Sequence, residues 1–174
     1  MARMPLKFSS APTVFAAVSA FALLSACSGG AGDAGDETAA PAGDAPAEIA
    51  ERQDNFEAIG DSFKAVREQL EAGSPDMAII QTSAAEINER LKRLPGLFPD
   101  GTSMEAGYDT EALAAIWEDP QGFDEAIQNA IAASEDLMAA AETGDPEAVG
   151  GQVGNLGTNG CKACHDKYRV DDDA

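Results

Sequence analysis

From position 49 onward the large apolar residues of this chain recur in a helical rhythm, after a stretch over 28–47 that has none. Ile49, Phe56, Ile59, Phe63, Val66 and Leu70 are spaced by three, four or seven residues, the stripe of a helix that buries one face. Glu51, Asp54, Glu57, Lys64 and Glu68 fill the other faces, and the run GSPD at 73–76 stops the pattern. A second stripe, Ile80, Ala84, Ile87, Leu91 and Leu94, ends at Pro95, with Ser74 as its expected N-cap and Pro75 at the first helical position. A third runs through Phe123, Ile127, Ile131, Leu137 and Met138 and ends near Gly144. Then TGDPEA reads as a turn and a helix start, with Asp145 as cap and Pro146 next; the fourth helix runs to about Tyr168 through Val149, Val153 and Leu156. Residues 95–119 hold too many breakers for a helix and too many apolar residues for a free linker. They predict an ordered loop with a short helical turn around Thr110–Ile116, Trp117 sealing one end of the core. Four amphipathic helices joined by two short connections and one long one predict an all-α, antiparallel up-down four-helix bundle over residues 48–174.

Helix four conflicts with its own composition. VGGQVGNLGTNG carries five glycines, each costing about 0.5–1 kcal/mol relative to alanine inside a helix. Either the helix is irregular there, or the glycines admit something bulky whose packing offsets the cost.

Composition agrees with helices: 44% of residues are apolar, many of them alanine, the best helix former. Charge narrows the partners. There are 31 acidic and 11 basic residues, a formal net charge of −20, which argues against nucleic acid and anionic membrane surfaces. A solvated acidic surface accounts for the charge, and a docking face for a cationic partner would use it.

The N-terminus predicts export. Residues 1–26 place Arg3 and Lys7 before an apolar run that ends in small residues, the layout of a signal peptide rather than a membrane span. Leu24-Ser25-Ala26-Cys27 resembles the bacterial lipobox, in which the cysteine is lipidated and becomes the mature N-terminus. The other reading, cleavage after a nearby small residue, would discard Cys27 or leave it as a free exported thiol, a reactive liability. Two or three acyl chains anchor stably where one does not. Residues 27–47 then read as a flexible tether, although a disordered remnant would look the same. The expected location is the periplasm, lipid-anchored to a membrane; Ser28, where aspartate would hold the protein back, points to the outer membrane.

The only histidine and two of the three cysteines fall together in Cys161-Lys162-Ala163-Cys164-His165. This is the C-x-x-C-H spacing of covalent c-type haem attachment. Two thiols a helical turn apart can each add to a vinyl group of one porphyrin, and the adjacent imidazole supplies an axial nitrogen to iron. A dithiol redox pair would want a βαβ context. A structural zinc would want a fourth ligand that the mature domain lacks. A plain disulfide would leave His165 and the glycine-rich approach unexplained. The expected cofactor is one covalent haem c per chain, which is also the bulky group the glycines would accommodate.

A haem motif on the last helix of a four-helix pattern, ending CKACHDKYR, resembles cytochrome c′ of the class II cytochromes c, itself a standard up-down bundle. The likeness covers roughly Ala47 to Val170: RQDNF resembles the Arg-Gln-x-x-Met/Leu/Phe signature of helix one, LFPDGTS the Phe-Pro loop and AAIWEDPQGF the Trp-containing stretch. The longer segment between Ser103 and Leu113 and the glycines of helix four depart from the pattern. The resemblance implies that His165 is the proximal iron ligand, that Arg52 lies near the haem edge and that Arg169 lies near the proximal pocket. Arg52 could pair with a propionate or with an ordinary surface carboxylate. Phe56 falls where cytochromes c′ hold an apolar side chain over the iron and low-spin relatives a methionine; from the sequence it is equally one member of a core stripe. Of the five methionines, Met1 and Met4 leave with the signal, Met77 and Met138 lie on helices, and Met104 alone has the freedom to reach the iron.

These readings predict a five-coordinate, high-spin haem protein, not an enzyme, that binds nitric oxide, carbon monoxide more weakly, and exchanges electrons with a redox partner protein. The alternative is a low-spin, six-coordinate electron carrier ligated by Met104 or another group. Peroxidase turnover would want a distal base, and there is no second histidine. The family's homodimer, built through the first two helices, is expected by resemblance alone, since the outward residues of those helices are charged.

Overall fold

The computed structural model describes residues 45–170, so the export signal, Cys27 and most of the tether lie outside the described residues. The helices are α1 (Ala47–Glu71), α2 (Met77–Leu91), the short α3 (Ala115–Glu118), α4 (Pro120–Glu142), α5 (Pro146–Asn155) and α6 (Ala163–Tyr168). A 3₁₀ turn follows α2 at Leu94–Gly96, and a π-helical segment, Leu156–Lys162, joins α5 to α6. Helix α1 packs on α2, α2 on α4, α4 on the last helical run, and that run back on α1. The result is the antiparallel four-helix bundle that the stripes predict. Among the described residues no helix is long and apolar enough to cross a membrane.

Local chemistry sets most boundaries, with two shifts. The cap of α2 is Asp76, not Ser74: its carboxylate accepts from Ala78 N at 2.9 Å. Aspartate caps as well as serine, and it stands directly before the apolar run, which leaves Pro75 outside the helix. The backbone N–H of Asp76 also donates to Gln69 Oε1, closing the turn onto α1. In the long connection the helical turn comes later than Thr110–Ile116, at Ala115–Glu118. Asp119 and Asp145 each cap a helix that opens with proline, accepting from Gly122 N and Glu147 N. Gly144, at φ 72°, is the left-handed residue that ends α4.

The core is built from the expected positions: Val66, Ile80, Leu137, Val149 and Leu156 are wholly buried. The exceptions mark a boundary. Phe56 and Phe63 lie on the same stripe as Ile59 and Val66, yet are only partly buried, because they border a cavity.

The glycines of helix four differ in what they admit. A Cβ on Gly150, Gly151 or Gly154 would meet nothing within 4 Å, so these three admit no neighbour. At Gly160 it would lie 2.9 Å from Leu156 Cδ1 and 3.2 Å from Ala130 Cα. There the absent side chain lets α4 approach. The helix is also irregular, widening into π geometry over the segment that leads into the cysteines, a distortion that tends to occur at functional sites. Gly160→Ala is therefore expected to destabilise the bundle by about 1–3 kcal/mol through overpacking. Gly151→Ala, open and helical, should stabilise it by about 0.4–1 kcal/mol. Urea titration of both variants checks the contrast.

Candidate haem site

The π segment ends one residue past Cys161, and α6 then carries Cys164 and His165. Leu156 faces the core, while Gly160, Cys161, Cys164 and His165 all line a cavity of about 840 Å³ that is partly open to solvent. Arg52 and Phe56 on α1 and Arg169 just after α6 line it too. The structure thus gathers every proposed haem residue into one site, and only Cys27 lies outside the described residues.

Phe56 and His165 sit with ring centroids 6.4 Å apart and planes at 71°. Behind Phe56 the wall is aromatic. Phe98 lies 6.4 Å from it and meets Phe123 edge-on at 4.8 Å, and Phe123 meets Tyr168 at 5.1 Å. Sequence reading did not assign Phe98, Phe123 or Tyr168 to the site; the first two are the aromatics of the Phe-Pro loop and of the α4 start. Trp117 packs near Phe98 in a second small cluster with Ala112, Ile116 and Tyr168, sealing that end of the core as expected.

Helix α6 is fastened to the start of α4. Asp119 accepts from Lys167 Nζ at 2.5 Å and from Tyr168 OH at 3.1 Å, while capping α4. These bonds, that of Lys167 first, hold the Asp119 carboxyl below its usual range. The pairing is therefore complete at neutral pH and is lost as pH falls through that depressed value. A Cβ on Gly122 would lie 2.2 Å from Asp119 Oδ2 and 2.6 Å from Tyr168 OH, so only glycine leaves room for this junction. Neither Asp119 nor Gly122 has a sequence signal beyond capping, since their partners lie about 50 residues on.

The thiols are partly buried and unpaired with each other. Burial raises Cys161, and burial followed by the neighbouring Cys161 raises Cys164 to about 11. Among the described residues no cluster of three or more His, Cys, Asp and Glu could hold a metal ion. His165, the sequence's single histidine, stands on the cavity wall, fit to serve as an axial ligand of an iron whose other ligands come with it.

Arg52 tests the fit further. It is 2% exposed, and burial pushes its guanidinium pKa down. Its hydrogen bonds go to neutral acceptors: Leu97 O, Thr102 Oγ1 and O, and Thr110 Oγ1. A buried cation on a cavity wall, with no carboxylate partner among the described residues, suits a ligand that carries negative charge. Arg169, by contrast, pairs with Glu111 at 2.6 Å. A large apolar cavity with two thiols, one imidazole and a buried cation fits a haem with its carboxylates.

Comparison with known proteins agrees with this geometry. The profile of the Cytochrome C′ family matches residues 47–169. The chain is 36% identical over 137 residues to the cytochrome c′ of Rhodospirillum rubrum, covering 77% of this chain and 89% of that protein. Among solved structures it superposes on cytochrome c′ from Rubrivivax gelatinosus with a TM-score of 0.63 and 33% identity, covering 71% of this chain and 94% of that one. It also shares its fold with the nitric oxide complex of a mutant cytochrome c prime from Alcaligenes xylosoxidans, at TM-score 0.62 and 24% identity over 71% of this chain and 94% of that one. The cofactor is a covalent haem c, whose attachment Cys161 and Cys164 fit. The chain belongs to the cytochrome c′ family of four-helix haem proteins.

Proposed function

We propose that this protein is a periplasm-facing, lipid-anchored haem protein that binds nitric oxide, carbon monoxide more weakly, and exchanges electrons. Cys161 and Cys164 hold the haem and His165 is the proximal ligand. When bound, the haem supplies an iron with one position left for a small molecule. The observation that carries the reading is the apposition of Phe56 and His165 across 6.4 Å. A flat group held on His165 from one side would have Phe56 on the other, and phenylalanine has no lone pair to donate. Phe56 would crowd that position, so a diatomic would enter more readily than a bulky ligand. The Alcaligenes xylosoxidans relative, solved as a nitric oxide complex, is consistent with this through its fold. Arg52, as the buried cation, would meet the negative charge of the haem carboxylates, and Arg169, paired with Glu111, would stand at the proximal side of the same cavity.

One observation favours the alternative low-spin electron carrier. Met104 lines the same cavity and is 39% exposed. Its backbone is held on both sides, N–H to Ala112 O and C=O from Gly107 N, which opposes the movement that ligation would need.

The absorption spectrum of the ferrous protein, with and without nitric oxide, decides between them. A broad high-spin spectrum that shifts with the gas is expected; sharp low-spin bands that do not respond would mean a sixth protein ligand. The anchor is tested separately: Cys27→Ser should release the protein from membranes into the soluble periplasmic fraction. The homodimer through α1 and α2 is checked by sedimentation velocity.

A further inference from the structure

Arg52 does more in this fold than carry a charge to the cavity wall. One guanidinium gathers three separated points of the long connection: Leu97, whose carbonyl it meets at 3.5 Å, Thr102 at 3.1–3.2 Å and Thr110 at 2.8 Å. Its Cζ lies 4.8 Å from the centre of the Phe98 ring. The fork geometry of arginine suits this clustering, which a lysine point charge would not reproduce.

The far margin of the same connection is tied to the end of α6. Ala112 and Arg169 form an isolated antiparallel bridge. Leu113 N donates to Tyr168 O at 3.0 Å and Val170 N to Glu111 O at 2.9 Å, while Arg169 Nε donates to Glu111 Oε2 at 2.6 Å. The connection therefore runs from a residue one helical turn before Phe56 to a segment one turn beyond His165. Met104 and residues 109–112 of this bridge line the cavity. Besides Arg52, α1 reaches the connection through an exposed side-chain bond, Gln53 Nε2 to Asp109 O.

We propose that Arg52 is a positioning residue that governs access to the cavity: it holds the 97–112 connection shut as one of its walls. The strength of that wall sets how fast a small molecule reaches the space between Phe56 and His165. Its kinetic consequence rests on the haem reading above; its structural one does not.

The test uses the haem-loaded full chain, with Arg52→Met and the shape-preserving Thr110→Val as variants. Amide hydrogen exchange is followed at Met104, Leu113 and Val170, whose N–H groups report the connection, and along α2 as the core reference. The rate of carbon monoxide binding to the reduced protein is measured alongside. Arg52→Met should speed exchange at the three reporters by about tenfold or more, the scale of lost charged hydrogen bonds, with α2 unchanged. Carbon monoxide association should rise by about tenfold, and Thr110→Val should move both in the same direction by less. Unchanged exchange at the reporters, equal loosening of α2, or loosened reporters with an unchanged gas rate would each overturn the proposal. If Arg52→Met does not fold, Thr110→Val decides by the same criteria. If carbon monoxide does not bind the wild-type protein, the functional reading fails and, with it, the access role, while the exchange data still decide whether Arg52 holds the connection.

Discussion

The double variant Cys161→Ser/Cys164→Ser is expected to lose covalent haem and, with it, the ordered bundle. The first loss follows from chemistry, since serine forms no thioether, and haem staining on a denaturing gel should vanish. The second follows from magnitude. An enclosed void costs ~24 cal/mol per Å³ of residual cavity. The cavity of about 840 Å³ is partly open to solvent, so that rate does not apply to its whole volume. Even a few kcal/mol lost at its apolar walls is a large share of the ~5–15 kcal/mol that stabilises a whole domain. Without haem the chain should keep helical far-ultraviolet dichroism, lose near-ultraviolet signal and bind a hydrophobic dye, the signature of a loosened bundle. Its Tm should fall by at least ~10 °C, taking ~2–8 °C per kcal/mol. An apo variant with unchanged Tm and near-ultraviolet spectrum would mean that the cavity is preformed independently of its cofactor.

Phe56→Met is expected to change the state of the iron without disturbing the fold. Methionine nearly conserves volume, so the packing cost should stay below about 1.5 kcal/mol. What it adds is a sulfur donor at the position that faces His165 across 6.4 Å. The spectrum should convert from broad high-spin to sharp low-spin bands. Nitric oxide would then compete with the thioether. If the sulfur leaves about 1% of the iron open, apparent affinity falls about 100-fold, because only the competent fraction binds. An unchanged spin state in a folded variant would remove Phe56 from the site.

Some parts of this protein were legible residue by residue. The stripes through Val66, Ile87 and Leu137 announced the helices because a 3.6-residue period is written locally. Asp145-Pro146 announced the start of α5 in the same way. The triplet Cys161, Cys164 and His165 was unmistakable because haem attachment needs those atoms within one helical turn. Ser74 misled because a proline beside a capping residue suits either Ser74 or Asp76, and the choice depends on how the turn closes onto Gln69. The glycines of helix four gave notice of an irregular stretch, but nothing in LGTNGCK specifies which carbonyl each N–H will choose, so its π geometry was not legible.

The sequence by itself determined the class of fold and the cofactor chemistry, which rest on residue types and spacings short enough to act within one or two helical turns. Only the tertiary structure decided what surrounds that chemistry. It set Phe98, Phe123 and Tyr168 as the cavity wall, joined Asp119 to α6, and gave Arg52 its hydrogen bonds to Leu97, Thr102 and Thr110 of the long connection. The bonds of Arg52 and Asp119 join residues about 45 to 58 positions apart, and the aromatic contacts join residues 25 or more apart. A side chain's partner at that range is chosen by how helices pack and where a loop comes to rest, and no local pattern carries that information.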